Sequence, residues 1–267
     1  MPSNTFERKQ PLYLPAQPPF PLTTVPLKSN RHFTDTTLLI KSPQRYGFLL
    51  ACFGVLGIVL LAGAACEGFR LDRVIQAVQQ CYGGNAAAVA QDWDDALTLF
   101  QGEMEQKKLR DVNEYLNHKL RSEKDLTVWG QEDYWSTPIE AQIKGCGDCD
   151  DYAIAKYFSL KFSGVPVSKL RLTYVKALIG EGKKKSLQAH MVLTYYPTPD
   201  AEPLVLDNMT NEICPASQRP DLVPIYSFNS EGFWVPGAGT PQPSGGSRLS
   251  KWTDLVEKMK IEGFDQL

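Results

Sequence analysis

The residues best suited to covalent chemistry lie in one short stretch, Gly145-Cys146-Gly147-Asp148-Cys149-Asp150-Asp151, where two glycines break one helical pattern and another begins. A thiol becomes a nucleophile once ionised, and a helix N-terminus favours the thiolate through its free N–H groups and partial positive charge. Cys149 falls at that point. The glycines ahead of it permit a tight approach, and the same N–H groups would hold an oxyanion during acyl transfer. Both arguments favour Cys149 over Cys146.

A cysteine nucleophile needs a base, and the chain has three histidines. His32 lies in a proline-rich stretch, and His118 sits among Asn117, Lys119 and Arg121 on a helix that reads as solvent-facing there. His190 lies within a core strand pattern. Asp207 closes the next strand, after Leu204-Val205-Leu206, where it would orient the imidazole. Each residue alone has a plainer reading: a small buried cysteine, a core histidine bonded to a carbonyl, an aspartate opening a turn. Their order, cysteine on a helix, then histidine and aspartate on successive strands, points to a catalytic triad.

Three carboxylates beside a thiol would raise its pKa. A hard cation with oxygen ligands offsets that, and calcium accepts clustered carboxylates, which makes Asp148, Asp150 and Asp151 candidate ligands. Acids in the first turn of a helix also complement its dipole without any metal. Cys146 and Cys149 form a Cys-x-x-Cys spacing, but no second pair follows and the residues between include an acid, so neither zinc nor redox chemistry is indicated. Cys81 and Cys214 are left over as a pair that an oxidising compartment would permit to join.

The segments Asp133-Tyr134-Trp135-Ser136-Thr137-Pro138, Gly147 to Tyr157, Ala189-His190-Met191-Val192-Leu193 and Leu206-Asp207-Asn208 together resemble the bacterial transglutaminase-like cysteine proteases, over roughly residues 90 to 235. The resemblance implies an α+β fold with a papain-like, transglutaminase-like core, and Cys149, His190 and Asp207 as nucleophile, base and orienting acid. It further implies calcium at the acids flanking the cysteine. The implied substrate is a large repeat adhesin, cut at an Ala-Ala bond near its N-terminus and so released from the cell during biofilm dispersal. The implied inhibitor is an inner-membrane cyclic-di-GMP receptor. An acyltransferase or true transglutaminase would use the same kind of triad, and a membrane-tethered binding module would keep the fold without activity.

Elements must hold these groups in place. Helical spacing covers Arg70 to Tyr82, Asn85 to Met104 and Lys108 to Leu120. Ser136-Thr137-Pro138 reads as a capped helix start, and the stretch from Cys149 to Phe162 as a largely buried helix. Strand patterns follow at Leu170 to Leu178, Leu187 to Tyr196 and Pro203 to Asp207, as three antiparallel neighbours, with short strands near Ile225 to Phe228 and Gly232 to Val235. A last helix is expected at Trp252 to Met259, after a proline-glycine loop from Gly237 to Gly246.

The 267 residues carry a net charge of -2 and are 43% hydrophobic, which suits one globular domain with appended segments. The lysine run at 183 to 185 reads as an exposed hairpin, so nucleic acid is not an expected partner. Residues 1–45 are proline-rich without apolar periodicity and read as a disordered tail. The stretch from Tyr46 to Cys66 carries no formal charge, follows Lys41 and Arg45, and ends in small residues, as a signal peptide or a membrane anchor would. Either reading puts residues 67–267, the expected protease domain, in the periplasm, free or tethered to the inner membrane.

Overall fold

The computed structural model describes residues 71–180, 182–236 and 250–267. The tail at 1–45, the apolar run at 46–66 and the loop at 237–246 lie outside these. Among the described residues no helix is long and apolar enough to cross a membrane.

Three helices open the fold, α1 (Asp72–Tyr82), α2 (Ala86–Gln101) and α3 (Glu105–Lys119). Their apolar faces bury Val74 and Val78, then Trp93, Leu97 and Phe100, then Leu109, Val112 and Leu116. The second helix ends at Gly102, short of the expected Met104, and the third starts earlier than its apolar spacing suggested, at Glu105. Two-residue strands β1 (Arg121–Ser122) and β2 (Cys146–Gly147) pair in parallel, bracketing α4 (Asp125–Trp129) and α5 (Pro138–Lys144). Thr137 caps α5 through a capping box with Glu140, with Pro138 in the first turn, as the Ser-Thr-Pro sequence indicates.

Helix α6 (Cys149–Phe162) is buried from Asp151 to Phe162 except at Lys161, which is why its sequence is apolar nearly all round. It packs on a six-stranded antiparallel sheet of order β6-β5-β4-β3-β7-β8. The strands are β3 (Leu170–Ile179), β4 (Ser186–Tyr195), β5 (Leu204–Leu206), β6 (Cys214–Pro215), β7 (Leu222–Asn229) and β8 (Gly232–Trp234). The three expected neighbours form its middle. Strand β7 is longer than expected because the register shifts at Pro224 and Ile225, a bulge that accommodates a residue lacking an N–H.

The last helix, α7 (Ser250–Ile261), closes the helical layer: Trp252 stacks on Phe158 at 5.7 Å, and Leu255 and Met259 are buried. Beyond it Glu262 accepts hydrogen bonds from Thr137 Oγ1 (2.6 Å) and Tyr82 (2.7 Å), tying three distant segments together.

Candidate active site

The start of α6 is fixed by its own acids. Asp148 caps the helix, accepting from the Asp150 N–H at 3.0 Å, while Asp151 Oδ2 accepts from the Asp148 N–H at 3.1 Å. Cys149 is thereby held at the first helical position. Gly145 ends α5 at a φ of 64°, a left-handed conformation suited to glycine. Gly147 is needed for a different reason: a Cβ there would run into the Asp151 carboxylate. Cys146 is a separate buried thiol, its sulfur 3.5 Å from the Lys144 carbonyl; Cys81, Cys146, Cys149 and Cys214 are all free thiols.

Strand pairing brings the other two candidates together. Leu193 lies opposite Leu206, so the chain leaves β5 at Asp207 beside the part of β4 that carries His190. His190 Nε2 lies 2.8 Å from Asp207 Oδ1. His190 and Asp207 are buried, 5% and 1% exposed. Burial alone would raise the Asp207 pKa, but hydrogen bonds from His190, Arg219 and the Met209 N–H outweigh it and hold the carboxyl at about 2. An ionised carboxylate only accepts, so Nε2 carries the proton and Nδ1 is the nitrogen left for a thiol. Asp207 is anchored from behind as well, since its carbonyl accepts from Asn117 Nδ2 on α3 at 3.0 Å.

Cys149 and His190 share a cleft of about 350 Å³, whose walls include Trp135, Tyr174, Tyr226 and Lys251. Tyr174 and Tyr226 stack at 5.1 Å, and Trp135 stacks on Phe228 at 5.7 Å, which makes that wall rigid. His118, in contrast, is exposed on α3, as its sequence context indicated, and bonds the Glu114 carbonyl rather than lining this cleft. Burial, followed by the charges of Asp150 and Asp148, pushes the Cys149 thiol well above its ordinary range; the Met191 N–H on β4 opposes this.

The acid cluster is larger than the three residues flanking the cysteine. Donor atoms of Asp125, Asp148 and Asp151 lie within 4.8 Å of one another, as do those of Asp125, Asp133 and Asp150. The pairing of β1 with β2 accounts for Asp125, because it lays the chain after Arg121 alongside Cys146 and Gly147. No local spacing announces this, so Asp125 was missed; Asp133 stood in a recognised motif without an assigned role.

The acids differ in their engagement. Asp151 Oδ1 accepts from the Ser136 N–H (2.9 Å) and hydroxyl (2.5 Å), so both its oxygens are used within the protein. Asp125 Oδ2 accepts from the Tyr134 N–H at 2.7 Å, but its buried Oδ1 has no partner. Burial leads the rise in each pKa: Asp148 moves to about 6, with the Asp125 charge adding to it, Asp151 to about 7, and Asp150 and Asp125 upward too. An orphaned carboxylate oxygen amid four other acids suits a hard divalent cation. Asp125 with Asp148 and Asp151, and Asp125 with Asp133 and Asp150, are close enough to hold it, Asp151 doubling as a brace and Asp133 also pairing with Lys251.

Residues 76–236 match the family described as bacterial transglutaminase-like cysteine proteinases. Among solved structures, Legionella pneumophila LapG is similar at 36% identity and a TM-score of 0.59, covering 72% of this chain and 98% of that one. Its calcium-bound form aligns at 40% identity and a TM-score of 0.57, over 69% and 97% of the two chains. Its EGTA-treated form aligns at 36% identity and a TM-score of 0.61, over 72% and 98%. No curated protein matches in sequence. By the extent of the family match and by these identities, the chain belongs to the bacterial transglutaminase-like cysteine proteinases.

Proposed function

We propose that this cysteine protease is a calcium-dependent endopeptidase in which Cys149, His190 and Asp207 form the triad. The observation that carries the reading is the 2.8 Å contact between His190 Nε2 and Asp207 Oδ1, which leaves Nδ1 for the thiol in the same cleft. His190 Nδ1 takes the thiol proton, and the sulfur attacks the peptide carbonyl carbon. The oxyanion is met by the Cys149 N–H, the first-turn donor that the Asp148 cap does not use. His190 then hands its proton to the leaving amine nitrogen as the C–N bond breaks, and acts as base toward the water that hydrolyses the thioester.

Calcium, when bound among Asp125, Asp133, Asp148, Asp150 and Asp151, would supply positive charge against carboxylates that otherwise oppose thiol ionisation. Support comes from the unpartnered Asp125 oxygen and from the relative solved both with calcium and after EGTA treatment. The proposed substrate is the N-terminal region of a large repeat adhesin, cut at an Ala-Ala bond and so freed from the cell. The proposed setting is the periplasm, with the enzyme soluble or tethered through residues 46–66 and restrained by an inner-membrane cyclic-di-GMP receptor. These assignments rest on the motif resemblance at residues 133–138, 147–157, 189–193 and 206–208. Incubating the purified protein with the adhesin fragment, with calcium or EGTA, tests the substrate and the calcium dependence: a single cut giving two products, lost in EGTA, is expected. Intact fragment alongside transfer to an added amine would make the protein an acyltransferase instead.

A further inference from the structure

The carboxylate that orients His190 is itself held by a group outside the triad. Arg219 follows β6 and donates Nη2–H to Asp207 Oδ2 at 2.8 Å. The same guanidinium grips Asp221 through Nε (3.0 Å) and Nη2 (2.8 Å), just ahead of β7. Asp221 in turn accepts the Leu178 N–H through its carbonyl at 2.8 Å, fixing the brace to the end of β3. The Arg219 side chain is only 11% exposed. Asp207 thus has a partner on each oxygen, His190 and the Met209 N–H on Oδ1 and Arg219 on Oδ2, and the plane of the carboxylate is fixed.

We propose that Arg219 is a positioning residue of the triad, one that sets both the direction of the Asp207 carboxylate and the strength of its hold on the His190 proton. The inference rests on the protease reading above. Without Arg219 the buried Oδ2 would lose its donor, and the carboxylate would be free to rotate away from Nε2, releasing the ring from the orientation that presents Nδ1 to the thiol.

The charged groups facing Asp207 are few. His190 approaches from β4, and Arg219 and Asp221 from the turn before β7. Lys156, fully buried on α6 with no hydrogen-bond partner for its Nζ, interacts with Asp207 through space. Of the two extra cations, Arg219 alone donates to the carboxylate.

The test uses the full chain with calcium, comparing Arg219→Gln and Arg219→Lys against the parent. The His190 Nε2–H resonance is followed by NMR in a Cys149→Ala background, and peptide cleavage is measured with the thiol present. The hydrogen-bonded Nε2–H signal of the parent is expected to broaden or move upfield in Arg219→Gln as the carboxylate turns away. Arg219→Gln should also lower kcat about tenfold with KM nearly unchanged. Arg219→Lys, which keeps a donor near Oδ2, should retain the parent-like signal while recovering only part of kcat. A parent-like signal in a folded Arg219→Gln protein, or a loss of activity confined to KM, would overturn the proposal. Should Arg219→Gln not fold, Arg219→Lys decides: reduced kcat with unchanged KM supports the role, and parent-like kcat overturns it. Failure of the parent to cleave any peptide would defeat the protease reading, yet the Nε2–H signal would still report on Arg219.

Discussion

A buried aspartate that is ionised beside a histidine carries information that neither residue carries alone. The low pKa of Asp207 means that it accepts from Nε2 rather than donating, which selects the ring tautomer and turns Nδ1 to the task of proton transfer. Asp207→Asn keeps the shape but presents an amide where the charge stood. It is expected to lower kcat by about 10³-fold or more with little effect on KM, measured by steady-state peptide hydrolysis. The proposed triad of Cys149, His190 and Asp207 could be named from the sequence because chemistry and elimination restrict the choice: a cysteine at a helix start, one histidine on a core strand, one acid at the end of the next. Arg219 could not, since an arginine in a turn is ordinarily a solvated side chain and only the folded register brings it to Asp207.

Elements explain why the acids beside the thiol serve unequal roles. The capping box at the start of α6 and the bonds from Ser136 make Asp151 a strut, while the β1–β2 pairing delivers Asp125 with one oxygen unsatisfied. Thermal melting separates the two functions. Asp125→Asn should leave the melting temperature in EGTA unchanged or higher and diminish the rise that calcium gives. Asp151→Ala should lower it in EGTA as well, because the Ser136 and Asp148 donors lose their acceptor. Gly147→Ala places a methyl group against the Asp151 carboxylate and is expected to cost about 1–3 kcal/mol in urea unfolding, despite a backbone conformation alanine can adopt. The major helices and the central strands were evident from periodicity. Two-residue strands carry no periodicity, so neither the β1–β2 contact nor the fifth acid it recruits had a visible signal.

Across the whole molecule the acid cluster sets a pH dependence that calcium should reverse. Asp148 and Asp151 bind protons in the folded chain up to about pH 6 and 7, whereas an unfolded carboxyl releases them near pH 4. Between those limits the native state holds more protons than the unfolded one, so stability in EGTA falls as pH rises from about 4 to 7. Asp207 runs the other way: its depressed pKa contributes stability present above about pH 4 and lost as pH falls toward 2. The calcium-induced rise in melting temperature should accordingly be larger at pH 7.5 than at pH 5.5, and an equal rise at both would argue against carboxylate ligation. At this scale, patterning exposed one helical layer on an antiparallel sheet. It did not expose the closing contacts of α7 and the residue after it, Trp252 on Phe158 and Glu262 on Thr137, which join residues far apart in the chain.

The most direct test of the central claim is cleavage of the adhesin's N-terminal fragment by the purified protein and by Cys149→Ala, each with calcium and with EGTA. The account predicts a single cut, giving two products, by the unaltered protein in calcium and none in the other three reactions. Cleavage by Cys149→Ala would contradict it by removing the thiol from the mechanism, and equal cleavage in EGTA would contradict the role given to the acid cluster.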